Sequence, residues 1–225
     1  MVSIRSKSIA GALLAICLVA PVQAATHRGD ALGASLDAPL LPAIELVDTG
    51  DLPAGGGALS NFLLNVNANL LSQTLVSGTM NVSTMGGGGS VTSVAQTEGL
   101  RVGLDVFPLQ AVITAAVVRA TSTASCGASS GSTVIVDLRI NDVAVVVTGQ
   151  PNQVISIPGV ATVTLNEQIL VQTGETTDLT VNAIHIRVLG SLVDIIISQA
   201  HAGMTDCGPL GVTTAPWGGV KSLYR

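Results

Sequence analysis

The chain is poor in aromatic side chains: Phe62, Phe107, Trp217 and Tyr224 are the whole set in 225 residues. A stacking platform for bases or sugars is therefore hard to assemble. Charge is scarce as well, at 10% of residues, and the nine Lys and Arg are scattered against 14 Asp and Glu. That balance disfavours nucleic acid and anionic membrane surfaces as partners. No CxxC pair and no Cys/His cluster occurs, so neither a metal nor a cofactor is expected. The four-glycine run Gly86 to Gly89 is not followed by the Lys-Ser/Thr of a phosphate-cradling loop and reads as a flexible break. Long Lys/Glu-rich helical faces are missing, and beyond residue 24 no apolar run is long enough to span a bilayer as a helix.

What is abundant points to strands. Hydrophobic residues make up 48% of the chain, enough for a sizeable core, and the length suits one domain after removal of an export signal. Val, Ile, Thr, Ala, Ser and Gly dominate, which favours pleated strands and tight turns. The expected class is all-β, as a single antiparallel β-sandwich, with a jelly-roll-like arrangement as one form of it.

Residues 1–24 have the make-up of a signal peptide. Arg5 and Lys7 give a basic start, Ile9 to Ala20 an apolar run, and Val22-Gln23-Ala24 the small residues read at cleavage. A lipoprotein signal ending at Cys17 is the rival, but bulky Ile16 stands where a small residue is normally needed. Cleavage after Ala24 leaves seven basic against 14 acidic residues, a formal charge of −7 instead of −5. It also removes Cys17, leaving Cys126 and Cys207 as a candidate disulfide in an oxidising compartment; two buried free thiols are the alternative.

Residues 25–57 combine Pro, Gly and much of the acidic excess without a period and read as an extended leader or linker. Arg28-Gly29-Asp30 matches an adhesion tripeptide, a match short enough to arise by chance. The β-sandwich domain is expected over 58–210, followed by a tail over 211–225. In FLLNVNANL, Phe62, Leu64, Val66, Ala68 and Leu70 alternate with Asn65, Asn67 and Asn69 as in a half-buried strand. LRVGLDVF alternates likewise from Leu100 to Val106, whereas QAVITAAVVRA is apolar on both faces. In TVIVDLRI, Val134, Val136, Leu138 and Ile140 share one face, and Asn141-Asp142 makes a two-residue turn into VAVVV.

The stretch Val160 to Ala202 holds three alternating runs and most of the residues suited to chemistry. In DLTVNAIHIRVL the apolar set switches from Leu179, Val181 and Ala183 to Ile184, Ile186 and Val188, which marks a bulge or a strand passing between layers. His185 and Arg187 then face outward. In LVDIIISQAHA, Val193, Ile195 and Ile197 share one face, leaving Asp194 and Ser198 on the other.

The segments VVRATSTASC (Val117 to Cys126), GQPNQVISIPG (Gly149 to Gly159), TLNEQ (Thr164 to Gln168), TVNAIHI (Thr180 to Ile186) and VDIIISQAHAG (Val193 to Gly203) resemble, in order, the secreted bacterial choice-of-anchor P family. The resemblance covers roughly residues 70–207. It implies export and an extracellular, cell-surface or periplasmic location, and it implies no catalytic residue. The end of this chain, TTAPWGGVKSLYR, departs from the family in lacking a hydrophobic anchor.

Catalytic constellations are weak. Ser198 with His185 or His201 and Asp194 has the ingredients of a nucleophilic triad but no nucleophile elbow. Glu167 with Asp194 could form an acid and base pair, and both with the histidines could hold a metal, yet no spacing specifies either. Asn166, Glu167, Gln168 and Asn182 suit a structural polar clasp that satisfies backbone groups at a strand end or bulge. The expected role is an exported noncatalytic β-sandwich with a surface-structural, adhesive or assembly function, its partners an extracellular protein or a second copy. A secreted hydrolase or carbohydrate-active protein using Glu167, Asp194 and the nearby histidines is the alternative.

Overall fold

A computed structural model of the chain describes residues 25–189 and 193–208. The expected signal peptide, Cys17 and the tail over 211–225 lie outside the described residues. Among the described residues every regular element is a strand. The first seven are β1 (Thr26–Asp37), β2 (Ile44–Asp48), β3 (Gly57–Leu70), β4 (Gln73–Gly87), β5 (Ser90–Val106), β6 (Leu109–Ser125) and β7 (Ala128–Val136). Then come β8 (Arg139–Ile140), β9 (Val143–Ala144), β10 (Gln153–Ile157), β11 (Ala161–Thr173), β12 (Thr176–Val188) and β13 (Asp194–Thr205). Among the described residues no helix is long and apolar enough to cross a membrane.

The strands form two packed antiparallel sheets, so the protein is an all-β sandwich. One sheet has the order β10-β11-β12-β13-β1-β2; the other runs β3-β4-β5-β6-β8-β9, with β7 also pairing β6. The chain passes between sheets only from β2 to β3 and from β9 to β10. Each sheet is thus mostly a meander, and the jelly-roll-like form does not occur, because that form needs successive strands to alternate between layers. Tight turns set the meander. Gly88 and Gly89, both at positive φ, join β4 to β5, so the expected glycine loop is a two-residue hairpin turn. Asn141 and Asp142, at φ 50° and 64°, close the short β8–β9 hairpin as their residue types predict.

The leader expected over 25–57 is corrected. Strand β1 lies between β13 and β2 and is paired from Thr26 to Asp37, so the domain begins there. Its inward positions from Gly29 to Ala34 are small because the layers approach closely there, whereas Leu36 is large and buried. A Cβ on Gly29 would stand 2.7 Å from Val91 Cγ1 and 2.8 Å from Thr84 Oγ1, atoms of the opposite sheet. Small residues conceal the hydrophobic alternation that marks the other strands.

A second regularity runs across both sheets. In the β11–β12, β12–β13 and β13–β1 ladders the pairs Asn166–Ala183, Ala183–Ser198 and Ser198–Gly33 are skipped, and inward-facing side chains change parity there. Asn166 and Ser198 take φ of 50° and 54°, and Val47 on β2, opposite Gly33, takes 50°. The other sheet repeats the device along Asn65, Gly78, Gly99, Ala116 and Asp137, with positive φ at Asn65, Gly99 and Asp137. The switch at Ala183 was legible in the sequence; the others correct it. Phe62 and Leu64 are exposed while Val66, Ala68 and Leu70 are buried. Val134 and Val136 likewise point outward while Leu138 is buried, so neither run keeps one face.

Ser198 of the first line meets the opposite sheet two residues from the second, at Thr97 and Val118. The hydroxyls of Thr97 and Ser198, both fully buried, lie 3.0 Å apart and reach the carbonyls of Gly33 and Val118. Around them pack Leu36, Leu75, Met80, Ile113, Leu165, Ile184, Ile186, Ile195 and Ile197. At one end of the sandwich Cys126, just past β6, is bonded to Cys207, just past β13, tying the sheets across 81 positions of sequence. A smaller apolar cluster of Leu52, Val91, Ala124, Ala202 and Met204 surrounds that bridge.

Candidate functional site

The outer face of the β10-to-β2 sheet gathers most of the ionisable residues singled out in the sequence. The parity switch makes this possible. Residues three apart on a regular strand face opposite ways, but Asn182 and His185 flank the switch at Ala183 and both face outward. Glu167, one residue past Asn166, joins them from β11, and Gln199 from β13.

Glu167 is the hub. Its Oε2 accepts hydrogen bonds from Asn182 Nδ2 at 2.7 Å and from His185 Nδ1 at 2.7 Å, and its Oε1 lies 3.5 Å from Arg187 Nη2. On the other side of the ring His185 Nε2 stands 3.4 Å from Asp194 Oδ1, which also lies 3.8 Å from Arg187 Nε. Gln199 Nε2 donates to Asn182 Oδ1 at 2.8 Å and extends the network across β13. His185 is buried at 8% exposure despite facing outward, because these neighbours close over it.

A second cluster lies on the same face toward the disulfide end. His201 Nδ1 donates to Asp30 Oδ1 at 2.6 Å and Nε2 to Asp178 Oδ1 at 2.9 Å, so both ring nitrogens meet carboxylates. The hydrogen bond to Asp30 raises the His201 pKa to about 9; burial opposes the shift and Asp178 adds to it. The imidazolium is therefore the resident form at neutral pH. Asp30 belongs to the adhesion-like tripeptide, which here sits within a paired strand with its carboxylate engaged rather than at a loop tip.

The four residues of the expected clasp divide between two networks. Asn166 Nδ2 donates to Gly149 O at 3.0 Å, and Gln168 Nε2 reaches both Gly131 O on β7 and Asn166 Oδ1 at 3.0 Å. These two bond backbone carbonyls, and Gln168 links the two sheets. Glu167 and Asn182 instead bond side chains, as described above. The triad is not assembled: Ser198 faces inward beside Thr97, on the opposite side of the sheet from the histidines. The reason is the switch at Ser198 itself, which overturns the expected shared face with Asp194. His185 stands between Glu167 and Asp194, 2.7 Å from one and 3.4 Å from the other, and with Asp194, Asp37 and Glu45 it lines a concavity of about 340 Å³. Among the described residues no group of three or more His, Cys, Asp or Glu is placed to hold a metal ion.

Sequence reasoning missed the partners of His201, because Asp30 is 171 positions away. It also missed a concavity of about 540 Å³ on the outer face of the opposite sheet, lined by Phe62, Asn81, Ser83, Gln96 and Arg119 among others. Its members belong to four strands, and only their register brings them together. Comparison with protein-family models, with curated proteins and with solved structures finds no match to this chain.

Proposed function

We propose that the chain is an exported, noncatalytic β-sandwich with a surface-structural, adhesive or assembly role. The observation that supports this most is the state of the ionisable groups on the outer face. Each carboxylate of the two histidine clusters already has a histidine, arginine or amide partner, and the hydroxyl that would serve as nucleophile lies in the core. Groups neutralised against one another hold strands in register; a general acid or base needs an open approach to its substrate. The Cys126–Cys207 bridge is compatible with an oxidising compartment, and the resemblance to choice-of-anchor P proteins points to the same place. The test is fractionation of producing cells with immunolabelling of intact cells and spent medium. Cleaved product outside the cytoplasm is the expected result. Intact precursor confined to the cytoplasm, with both cysteines labelled as thiols, would overturn the proposal.

A further inference from the structure

The concavity on the outer face of the β3-to-β9 sheet has the make-up of a binding site. Phe62, Asn81, Gln96 and Arg119 form one row across four strands, set by the pairings Phe62–Asn81, Asn81–Gln96 and Gln96–Arg119. Ser60, Ser83 and Val94 line the adjoining row. Three strand spacings separate the ends, so Phe62 and Arg119 stand about 14 Å apart along the row. The two ends differ in chemistry. Arg119 makes no ion pair among the described residues, leaving its guanidinium donors for a ligand. Phe62 presents an exposed ring, and Asn61 steadies its backbone: Asn61 Oδ1 accepts from the Phe62 amide at 2.9 Å while Nδ2 donates to Asp48 O at 3.1 Å. Between the ends lie amides and hydroxyls.

We infer that this row binds a short acidic oligosaccharide, with a uronate carboxylate on Arg119 and a sugar ring against Phe62. A guanidinium forks onto a carboxylate with two charge-assisted hydrogen bonds, and the Asn81 amide, the Ser83 hydroxyl and Gln96 Oε1 match ligand hydroxyls, Gln96 Nε2 being held by Glu98 Oε1 at 2.7 Å. The free backbone edge beside the concavity is that of β3, so a peptide added there as a strand would lie beyond Phe62, about four strand spacings from Arg119, and would not cross the row. Strand addition follows an edge, whereas a polyol read by side chains can lie across the strands from Phe62 to Arg119. The shortage of aromatics argues against neutral glycans, for which stacking carries more of the affinity. An acidic ligand moves that share to Arg119.

This inference rests on the noncatalytic adhesive role proposed above. Isothermal titration calorimetry of the full chain at low salt tests it, with trigalacturonate as ligand and maltotriose and triglutamate as comparisons. Trigalacturonate binds at least tenfold tighter than either comparison. Arg119→Gln weakens it by roughly tenfold or more through loss of the charge-assisted pair. Phe62→Ala weakens it by roughly threefold to tenfold. Arg101→Gln, a cation on the same face beyond the parity switch, leaves it unchanged. Absence of trigalacturonate binding, equal binding of triglutamate, or an equal loss in Arg101→Gln overturns the inference. Chromatography of the same incubations separates the two claims: cleaved trigalacturonate would refute the noncatalytic role, whereas intact, unbound sugar would refute the site alone.

Discussion

His201 makes the stability of this protein depend on pH in a direction that can be worked out in advance. Its pKa is about 9 in the folded chain and near 6.5 when unfolded, so the native state holds the extra proton. Stability from this group is fully present below about pH 6.5 and is lost as pH rises through about 9. The difference in pKa corresponds to about 3 kcal/mol, and partial exposure of Asp30 and Asp178 screens this toward about 2 kcal/mol. His201→Gln removes the titration but keeps a polar side chain of similar reach. Urea unfolding of both proteins every half unit from pH 6 to 9.5 gives the difference curve, in which every other titrating group shared by the two proteins cancels. The wild-type advantage holds steady to about pH 6.5, then falls by about 2 to 3 kcal/mol, with a limiting slope near 1.4 kcal/mol per pH unit. A flat difference curve, or an NMR titration of the His201 ring centred near 6.5, would refute the reasoning.

Three further expectations follow from the geometry. Replacing both Cys126 and Cys207 with Ser releases an 81-residue separation and lowers the unfolding free energy by about 4 to 5 kcal/mol in the chain-entropy treatment; equal denaturant midpoints for the two proteins would contradict it. Asn166→Ala combines a left-handed backbone with loss of the bond to Gly149, whereas Asn166→Gly loses the bond alone, so the alanine variant is less stable by about 1 kcal/mol in urea. Gly33→Ala pushes a methyl group against Val47 Cγ1, Leu46 O and Met80 Sδ and costs about 1 to 3 kcal/mol, read as a lowered melting temperature.

Much of the fold is legible in the sequence because alternation is a local signal. Leu100, Val102 and Leu104 announce their buried face without any knowledge of neighbours. Strand β1 escapes this test, since Gly29, Ala31 and Ala34 are small for a reason supplied by the opposite sheet. The parity switch is readable only where large apolar residues flank it, as at Ala183 and Ile184. At Ser198 a polar residue moved into the core looks like one more outward position, which is why a triad could be sketched there. Cys126 and Cys207 are readable because only two cysteines follow residue 24. The His201 cluster and the Phe62 to Arg119 row depend on register between distant strands, and no window of sequence contains that information.

The skipped pairs have a consequence for how such a chain can change over time. One residue gained or lost between a hairpin tip and the transverse row would shift a bulkier neighbour into the left-handed torsion now held by Asn166, Ser198 or Gly99. It would also turn the rest of that strand greasy side out. Length variation is thereby confined to the tips, where both arms of a hairpin can grow by equal amounts. The waist of the sandwich acts as a fixed index from which both ends are measured, and diversification of this architecture is expected at its rims.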